Sequence, residues 1–312
     1  MARMQPADEN RSGASARVWR TLPPGAREVL ERDLTPADLR TLLLDVAASR
    51  ARAVRPADVL ARWRQDRLVR PAASDPRALS AIEARLWELL PDMFDGVELS
   101  PVAPLGTAVA VAPVSQDRIV TTTRLTEVVS DSTNALAVEA AARRSVRPRD
   151  EPVHLATIQR QLRAQDFGPG ASSHFRLLAL VSSARDSGSG RTEADLLVTH
   201  VRYWQEVLAR TIGHRHPRIE VTVWDDDVAA ERLADTVLPA LGHDVVPVVE
   251  RAERERGRGY YSGVAVALWA DDGAIEIGDG GLTPWTARLL ADRKERCLVS
   301  CVSTERLAEL AA

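Results

Sequence analysis

The chain has 312 residues, enough for one large α/β domain or two small ones, and 45% of them are hydrophobic, which supports a substantial core. Its formal net charge of −3 comes from 41 basic and 44 acidic residues, so no global positive field is available to capture nucleic acid. No apolar run reaches the roughly 18 residues of a membrane span, and the first 20 residues contain no stretch typical of a signal peptide. We therefore expect a cytoplasmic protein with no membrane association.

The N-terminal part predicts a tail followed by helices. Residues 1 to about 30 are predicted to be a disordered tail. Thr35 then supplies a helix cap, Pro36 suits the first helical position and Asp38 places an acid in the first turn. A second short helix is expected at 56–64, and residues 31–77 are interpreted as an N-terminal helical extension.

The remainder of the chain alternates helices with short strands. Helices are predicted at 78–90, 133–144, 193–212, 227–241 and 284–292, with a final helix after 302. Strands are predicted at 119–129, 219–224, 244–250, 263–270, 274–277 and 297–302, with a hairpin at 154–183, an extended proline-broken segment at 96–114 and a glycine turn at 278–281. Strands that often follow one another through hairpins, with helices attached, indicate an α+β fold whose sheet is mostly antiparallel and flanked by helices.

The hairpin at 154–183 contains the first candidate site residues, Arg160, Arg163 and Gln165, just before its Gly/Pro loop. A guanidinium is suited to bidentate contact with phosphate, so these residues could bind a polyanion such as ATP. Because the two arginines are three positions apart, an extended strand places them on opposite faces, and only one would face a site unless the loop has begun to twist. The alternative is that both are solvated surface residues.

The order of segments from about residue 78 to 310 resembles the catalytic core of class II aminoacyl-tRNA synthetases, in particular histidyl-tRNA synthetase and its paralogue, the regulatory subunit of ATP phosphoribosyltransferase. Motif 2 of that family reads approximately FRYERPQ, and QRQLRAQ occupies 159–165 here. The resemblance implies that Arg160 binds the α-phosphate of ATP and that Arg163 and Gln165 also contact the nucleotide. Leu162 replaces the glutamate of the pattern, a departure that bears on adenine recognition.

Two further segments resemble the parts of that family that hold the amino acid. Asp131 and Thr133 match an acid and a threonine that hold the ammonium group, although both residue types also cap helices. The sequence RGRGYYSG at 256–263 resembles the signature RGLDYYT, which implies that Arg256 stabilises charge at the activated carboxylate and that Tyr260 and Tyr261 line the substrate pocket. The register is open because Arg254 and Arg258 lie in the same loop, and a strand entrance with one buried ring is the alternative for the tyrosines.

The last matching segment is LVSCVSTERL at 298–307, which resembles motif 3, approximately GFAIGLERL. Arg306 then corresponds to the arginine that contacts the terminal phosphate of ATP, and a solvated pair of Glu305 and Arg306 is the alternative. Val299 and Ser303 replace the family glycines, which should crowd the adenine shelf. Gly278, Gly280 and Gly281 match glycines of the family segment GGRYD, although an ordinary turn would use them equally well.

The resemblance implies a stand-alone protein of residues 78–312 that binds ATP, Mg²⁺ and an amino acid or related carboxylate and forms an acyl-adenylate. The alternative is a non-catalytic regulatory or amino-acid-binding subunit, and a third hypothesis is a scaffold that binds a protein partner or carrier. The chain stops just after motif 3 with no anticodon-binding domain, so tRNA charging is not expected. Residues 78–104 could form the motif-1 dimer element, which predicts a homodimer.

No metal site is predicted. Cys297 and Cys301 are four apart with no CxxC partner, which argues against a disulfide framework or a cysteine-based zinc site. His214 and His216 could ligate a metal, but no third ligand is evident and an exposed turn is the simpler interpretation.

Overall fold

A computed structural model describes residues 6–168, 172–242 and 246–312, with side chains described from residue 13. Cα packing divides the chain into two compact units, one ending at residue 61 and also including 122–125, the other comprising 62–121 and 126–312. The first unit contains helices α1 (Pro6–Thr21), α2 (Ala26–Glu28), α3 (Pro36–Arg52) and the start of α4 (Pro56–Gln65), with a π-helical turn, Val29–Asp33, after α2.

Helix α3 begins where the sequence predicts it. The Thr35 hydroxyl accepts a hydrogen bond from the Asp38 N–H at 3.2 Å, and Pro36 occupies the first helical position. Residues 6–21 are helical in the structure, whereas the sequence predicted a disordered tail there. The proposed domain boundaries at residues 30 and 77 stay predictions.

The second unit is built around an eight-stranded sheet. In chain order the strands of the chain are β1 (Asp95–Gly96), β2 (Val102–Pro104), β3 (Thr126–Val128), β4 (Val153–Leu162), β5 (His174–Arg185), β6 (Arg218–Val223), β7 (Val248–Glu250), β8 (Val264–Ala270), β9 (Ile275–Thr283) and β10 (Glu295–Ser303). The order across the sheet is β1-β4-β5-β10-β9-β8-β6-β7, and β2 pairs with β3 separately. Only β1 with β4 and β6 with β7 are parallel among the described pairs, so the predicted mostly antiparallel α+β architecture is confirmed.

Helices cover both faces of this sheet. They are α5 (Pro76–Glu88), α6 (Thr107–Val111), α7 (Ser132–Arg144), α8 (Arg191–Ile212), α9 (Asp227–Arg232), α10 (Leu238–Leu241), α11 (Trp285–Leu290) and α12 (Thr304–Ala311). One core cluster contains side chains of α5, α8 and α12 together with Leu178 and Leu180 of β5, and the other contains side chains of α6, α7 and α11 together with Val181. Because both faces are buried, β5 carries a continuous apolar run instead of an alternating pattern.

Several predicted elements differ from the structure. The glycines at 278–281 form no turn; they lie inside the single strand β9. A Cβ added at Gly280 would lie 2.5 Å from the Val299 carbonyl oxygen, and one at Gly281 would lie 2.5 Å from the Val264 carbonyl oxygen, so these glycines allow close approach of neighbouring strands. The predicted strand at 119–129 shortens to β3, and the extended segment at 96–114 contains α6.

Residues 244–245 of the predicted strand 244–250 lie outside the described residues, as do 169–171 of the predicted hairpin and 1–5 of the predicted tail. Val248–Glu250 forms β7. In the described part of the chain no helix combines the length and the hydropathy needed to cross a membrane. Both cysteines are free thiols.

Candidate functional site

A cavity of about 1120 Å³ lies over the β4–β5 hairpin, β9 and β10. Eight of the nine residues that the sequence singles out line it: Asp131, Thr133, Arg163, Gln165, Arg256, Tyr260, Tyr261 and Arg306. The ninth, Arg160, is not among its lining residues. Residues as far apart in the sequence as Asp131 and Arg306 therefore meet at one place, because β4, β5, β10 and β9 are neighbours in the sheet.

Arg160 faces the opposite side of the sheet from Arg163. In the β4–β5 ladder Arg160 is paired with Arg176, and its guanidinium donates to His174 Nδ1 at 2.8 Å and lies 3.2 Å from Glu305. The position at which the resemblance expects a phosphate-binding arginine is thus outside the cavity. The physical reason is strand alternation, because residues three apart on an extended strand point to opposite faces.

Arg163 is the hairpin arginine that reaches the cavity. Its Nε donates to the Ser130 carbonyl at 2.8 Å, and its Nη2 lies 3.5 Å from Asp131 Oδ2. The guanidinium also stacks over the Phe175 ring, with 5.1 Å between the guanidinium carbon and the ring centroid. Arg163 is consequently held by three neighbours in a half-exposed position.

The two oxygens of Asp131 have different partners. Oδ1 caps α7, since it accepts from the Thr133 N–H at 3.0 Å and from the Thr133 hydroxyl at 2.6 Å. Oδ2 accepts from the Tyr260 hydroxyl at 3.2 Å and faces Arg163. One oxygen of Asp131 is therefore occupied by the helix cap and by the buried Thr133 hydroxyl. The other oxygen faces the cavity.

The tyrosine pair forms an aromatic wall. Tyr260 packs edge-on against Tyr261 and Trp285, with centroid distances of 5.0 and 5.5 Å. Burial raises the pKa of both phenols well above the ordinary value, and the carboxylates of Asp131 and Asp279 add to the effect, so both are neutral donors. Gly257 has a φ of +90°, and an added Cβ would lie 2.9 Å from the Tyr261 ring, which explains the glycine in this loop.

The three arginines of the loop at 254–258 have different surroundings. Arg256 lines the cavity and pairs with the side chain of Glu276, whereas Arg258 pairs with Asp225 outside it. Arg254 also bonds Glu276, at 3.1 Å. Arg306 donates to the Glu276 backbone carbonyl, so the strand residue Glu276 contacts both Arg256 and Arg306.

Sequence reasoning missed Asp279 as a site residue. It lines the cavity, where burial and then the nearby Glu276 raise the pKa of its carboxyl group, while Arg254 opposes the shift. Its Oδ1 lies 3.8 Å from Cys301 Sγ, and burial raises the pKa of that thiol well above its ordinary value. No local pattern marks Asp279, because the register of β9 shifts beside Ile277 and simple alternation from that buried residue does not extend to position 279.

A second missed feature is the arginine clamp on the hairpin loop. Arg67 donates to the Gln165 carbonyl at 2.8 Å and to the Ser173 hydroxyl at 2.6 Å, and both Arg67 and Arg70 line the cavity. Their segment precedes α5 and contains no periodic pattern or motif, so nothing in its sequence marks it as part of a site. The cavity is thereby rich in arginine despite the net negative charge of the chain.

A buried polar chain ends at the cavity. The Trp204 indole donates to the Ser300 hydroxyl at 2.8 Å, and Ser300, which lines the cavity, contacts His200 Nδ1 at 2.8 Å. His200 Nε2 contacts the Ser182 hydroxyl at 2.8 Å, which in turn contacts His154 Nδ1 at 2.7 Å. Which partner donates in each serine–histidine contact depends on the imidazole tautomer, and burial lowers the pKa of both histidines, which favours their neutral forms. Burial, followed by the charge of His154, lowers the pKa of His200 to about 3.

The cavity provides carboxylates but no dedicated metal cluster. Among the described residues, no group of three or more His, Cys, Asp and Glu side chains could hold a metal ion. Glu276 is paired with two arginines and Glu305 with Arg160.

Solved structures share this architecture. The ATP phosphoribosyltransferase regulatory subunit/histidyl-tRNA synthetase of Bacillus halodurans aligns with a TM-score of 0.59 at 11% identity, covering 78% of this chain and 82% of that one. Apo histidyl-tRNA synthetase of S. aureus gives a TM-score of 0.56 at 17% identity, covering 76% and 66%. The chain has a class II synthetase-like fold.

A shorter relative with this fold matches over nearly its whole length. The histidine–tRNA ligase subunit of Alicyclobacillus acidocaldarius gives a TM-score of 0.56 at 15% identity, covering 77% of this chain and 96% of that one. No family model matches the sequence, and no curated protein matches it significantly. At these identities the class II likeness establishes the fold alone.

Proposed function

We propose that this chain binds an amino acid or a related carboxylate in the sheet cavity. The observation that carries the proposal is the half-buried pair of Asp131 and Arg163, whose charged atoms are 3.5 Å apart beside the Tyr260 hydroxyl. An amino-acid zwitterion presents an ammonium group that complements Asp131 and a carboxylate that complements Arg163. Entry of such a ligand would replace one ion pair by two without leaving an unpaired buried charge.

Binding without catalysis agrees best with the surrounding residues. Arg160 is on the far face, Leu162 offers no carboxylate, and Val299 and Ser303 occupy glycine positions of the resembled family. The carboxylate of Glu276 also partly neutralises Arg256. We therefore infer a regulatory or amino-acid-binding subunit; one solved structure of similar fold carries the description of a regulatory subunit in its name.

Acyl-adenylate formation is the second candidate, and Arg256 and Arg306 favour it because both line the same cavity. In that reaction a carboxylate oxygen of the amino acid attacks the α-phosphorus of ATP, and pyrophosphate leaves. Arg256 would stabilise the charge that develops at the α-phosphate, and Arg306, Arg163 and Gln165 would contact the nucleotide. Mg²⁺ would enter bound to the phosphates.

Isothermal titration calorimetry with a broad panel of amino acids and related carboxylates, with and without Mg²⁺ and ATP, tests the proposal. Arg163→Met should weaken binding at least tenfold, whereas Arg160→Met is the matched control on the same strand and should leave it unchanged. Absence of binding across the panel, or equal effects of the two substitutions, would overturn the assignment. Amino-acid-dependent exchange between ATP and pyrophosphate would support the second candidate instead.

The homodimer predicted from residues 78–104 belongs to the same proposal, and sedimentation at micromolar concentration tests it. A monomeric mass would contradict the dimer without affecting the ligand site. A protein partner or carrier also stays a proposal, since a subunit that binds an amino acid without converting it needs a protein to regulate.

A further inference from the structure

We propose that a second cavity, separate from the first, binds an amphipathic monoanion such as a medium-chain aliphatic carboxylate. This cavity has a volume of about 700 Å³ and shares no lining residue with the first. It lies among the N-terminal end of α8, α9 with the turn that follows it, the start of β8, the end of β9 and α11. The inference is independent of the function proposed for the first cavity.

The walls of the second cavity are apolar. Its volume falls within the range of roughly 300–1,000 Å³ that is typical of small-molecule sites. Five apolar side chains of the lining belong to one core cluster and are each at most 4% exposed: Ala194, Leu197, Leu233, Val237 and Val264. Such a surface favours a ligand with a hydrocarbon or aromatic body.

The charge around this cavity is unbalanced toward positive. Of its four arginines, Arg296 is paired with Asp186 at 2.8 Å, and Arg232 is paired with Asp235 at 2.9 Å. Arg288 and Arg293 are exposed, and neither makes a side-chain hydrogen bond or ion pair with another described residue. Because Arg288 and Arg293 have no carboxylate partner beside this apolar cavity, a ligand with one anionic group could form ion pairs with them.

The acidic residues of the cavity do not cancel this excess. Glu193 pairs with Arg296, Glu295 forms a buried ion pair with Arg144, and Asp226 accepts from the Ala229 N–H as the cap of α9. Each carboxylate is thus already engaged by a cation or a helix terminus. A carboxylate headgroup on an aliphatic chain satisfies both the free arginines and the apolar walls, whereas a fully polar anion would leave the walls unfilled.

The proposal is tested by measuring the binding of dodecanoate, below its critical micelle concentration, to the full chain. Dodecanol is the control for the charge of the headgroup, and octanoate is the control for the length of the hydrocarbon chain. Affinity should rise about fourfold for each added methylene group that is buried. The double variant Arg288→Met/Arg293→Met should weaken dodecanoate at least tenfold and change dodecanol less than threefold. Arg210→Met on α8, an exposed arginine that does not line the cavity, is the control and should have no effect.

Val228→Trp tests the location, because Val228 lines the cavity yet is 46% exposed, so a larger side chain there can be tolerated by the fold. It should weaken both dodecanoate and dodecanol. Arg163→Met should leave dodecanoate binding unchanged, which separates this cavity from the first. The proposal is overturned if dodecanoate does not bind, if the double arginine variant binds it as well as the wild type, or if an amino-acid ligand of the first cavity displaces it.

Discussion

Acidification should destabilise this protein through His200 in particular. The imidazole is 1% exposed, and burial, followed by the charge of His154, lowers its pKa to about 3, against an unfolded value near 6.5. A histidine whose folded pKa is depressed contributes its full stability above the unfolded pKa. That contribution is lost as the pH falls toward the folded pKa, because only the unfolded chain then takes up the proton.

The magnitude follows from these two values. Between pH 8 and pH 5 the unfolded histidine becomes almost fully protonated while the folded one stays neutral, so the free energy of unfolding should fall by about 2 kcal/mol from this group alone. The fall would reach about 3 kcal/mol at pH 4. His154, whose pKa burial also lowers, should add to the wild-type loss.

Urea denaturation of the wild type and of His200→Gln at pH 8 and pH 5 isolates the effect. The variant has its own pH-independent cost, but the difference in unfolding free energy between the two proteins should shrink by about 2 kcal/mol on acidification. Trp204→Phe removes a hydrogen bond from the same chain without removing a titratable group, so its difference from the wild type should stay constant. A constant difference for His200→Gln as well would refute a buried neutral imidazole.

Three other substitutions test separate parts of the structure. Tyr260→Phe removes the donor to Asp131 and should weaken amino-acid binding by about five- to tenfold in calorimetry, and unchanged affinity would argue against this contact. Glu295→Leu leaves the Arg144 guanidinium buried without its carboxylate, which should lower the free energy of unfolding in urea by about 3–5 kcal/mol. A decrease below about 1 kcal/mol would contradict an ion pair that is shielded from water. Gly281→Ala adds a Cβ 2.5 Å from a neighbouring carbonyl oxygen and should cost about 1–3 kcal/mol, so an unchanged melting temperature would show that the strands can separate freely.

The fold was predictable mainly where periodicity was strong. Helices α7 and α8 and the β4–β5 hairpin begin and end close to the expected positions, because their apolar side chains repeat with one period over many residues. Strand β9 was interrupted in the prediction because three glycines within four residues favour a turn in isolation. Glycine is required at these positions because β8 and β10 approach β9 closely. This is a tertiary constraint, and no local sequence pattern encodes it.

The candidate site was predictable where a motif supplied the residue and not where packing supplied it. Asp131, Tyr260 and Arg256 came from short segments whose order matched a known arrangement, and all three line one cavity. Arg67 enters the same cavity from a loop with no motif, and its role as a clamp exists only because the chain folds back over the hairpin. Tertiary packing brings residues of this kind to the site, and no local sequence pattern marks them.

The hairpin ladder also explains why amino-acid binding is proposed ahead of nucleotide chemistry. In the pattern FRYERPQ the arginine and the glutamate are two apart and share a strand face; the matching residues here, Arg160 and Leu162, do not line the cavity, whereas Arg163 does. When the Gln161 amide is oriented with its nitrogen toward the Ser130 carbonyl, it donates to that carbonyl at 3.0 Å, and its oxygen accepts from the Ser132 N–H at 3.1 Å. A guanidinium has only donors, so Arg163 cannot accept a hydrogen bond from an adenine amino group as a carboxylate would. Arg163 can bind a ligand carboxylate, as proposed above, but it can bind a phosphate group equally well. The preference for an amino acid therefore rests on Leu162, which offers no carboxylate, and on Arg160, which does not line the cavity.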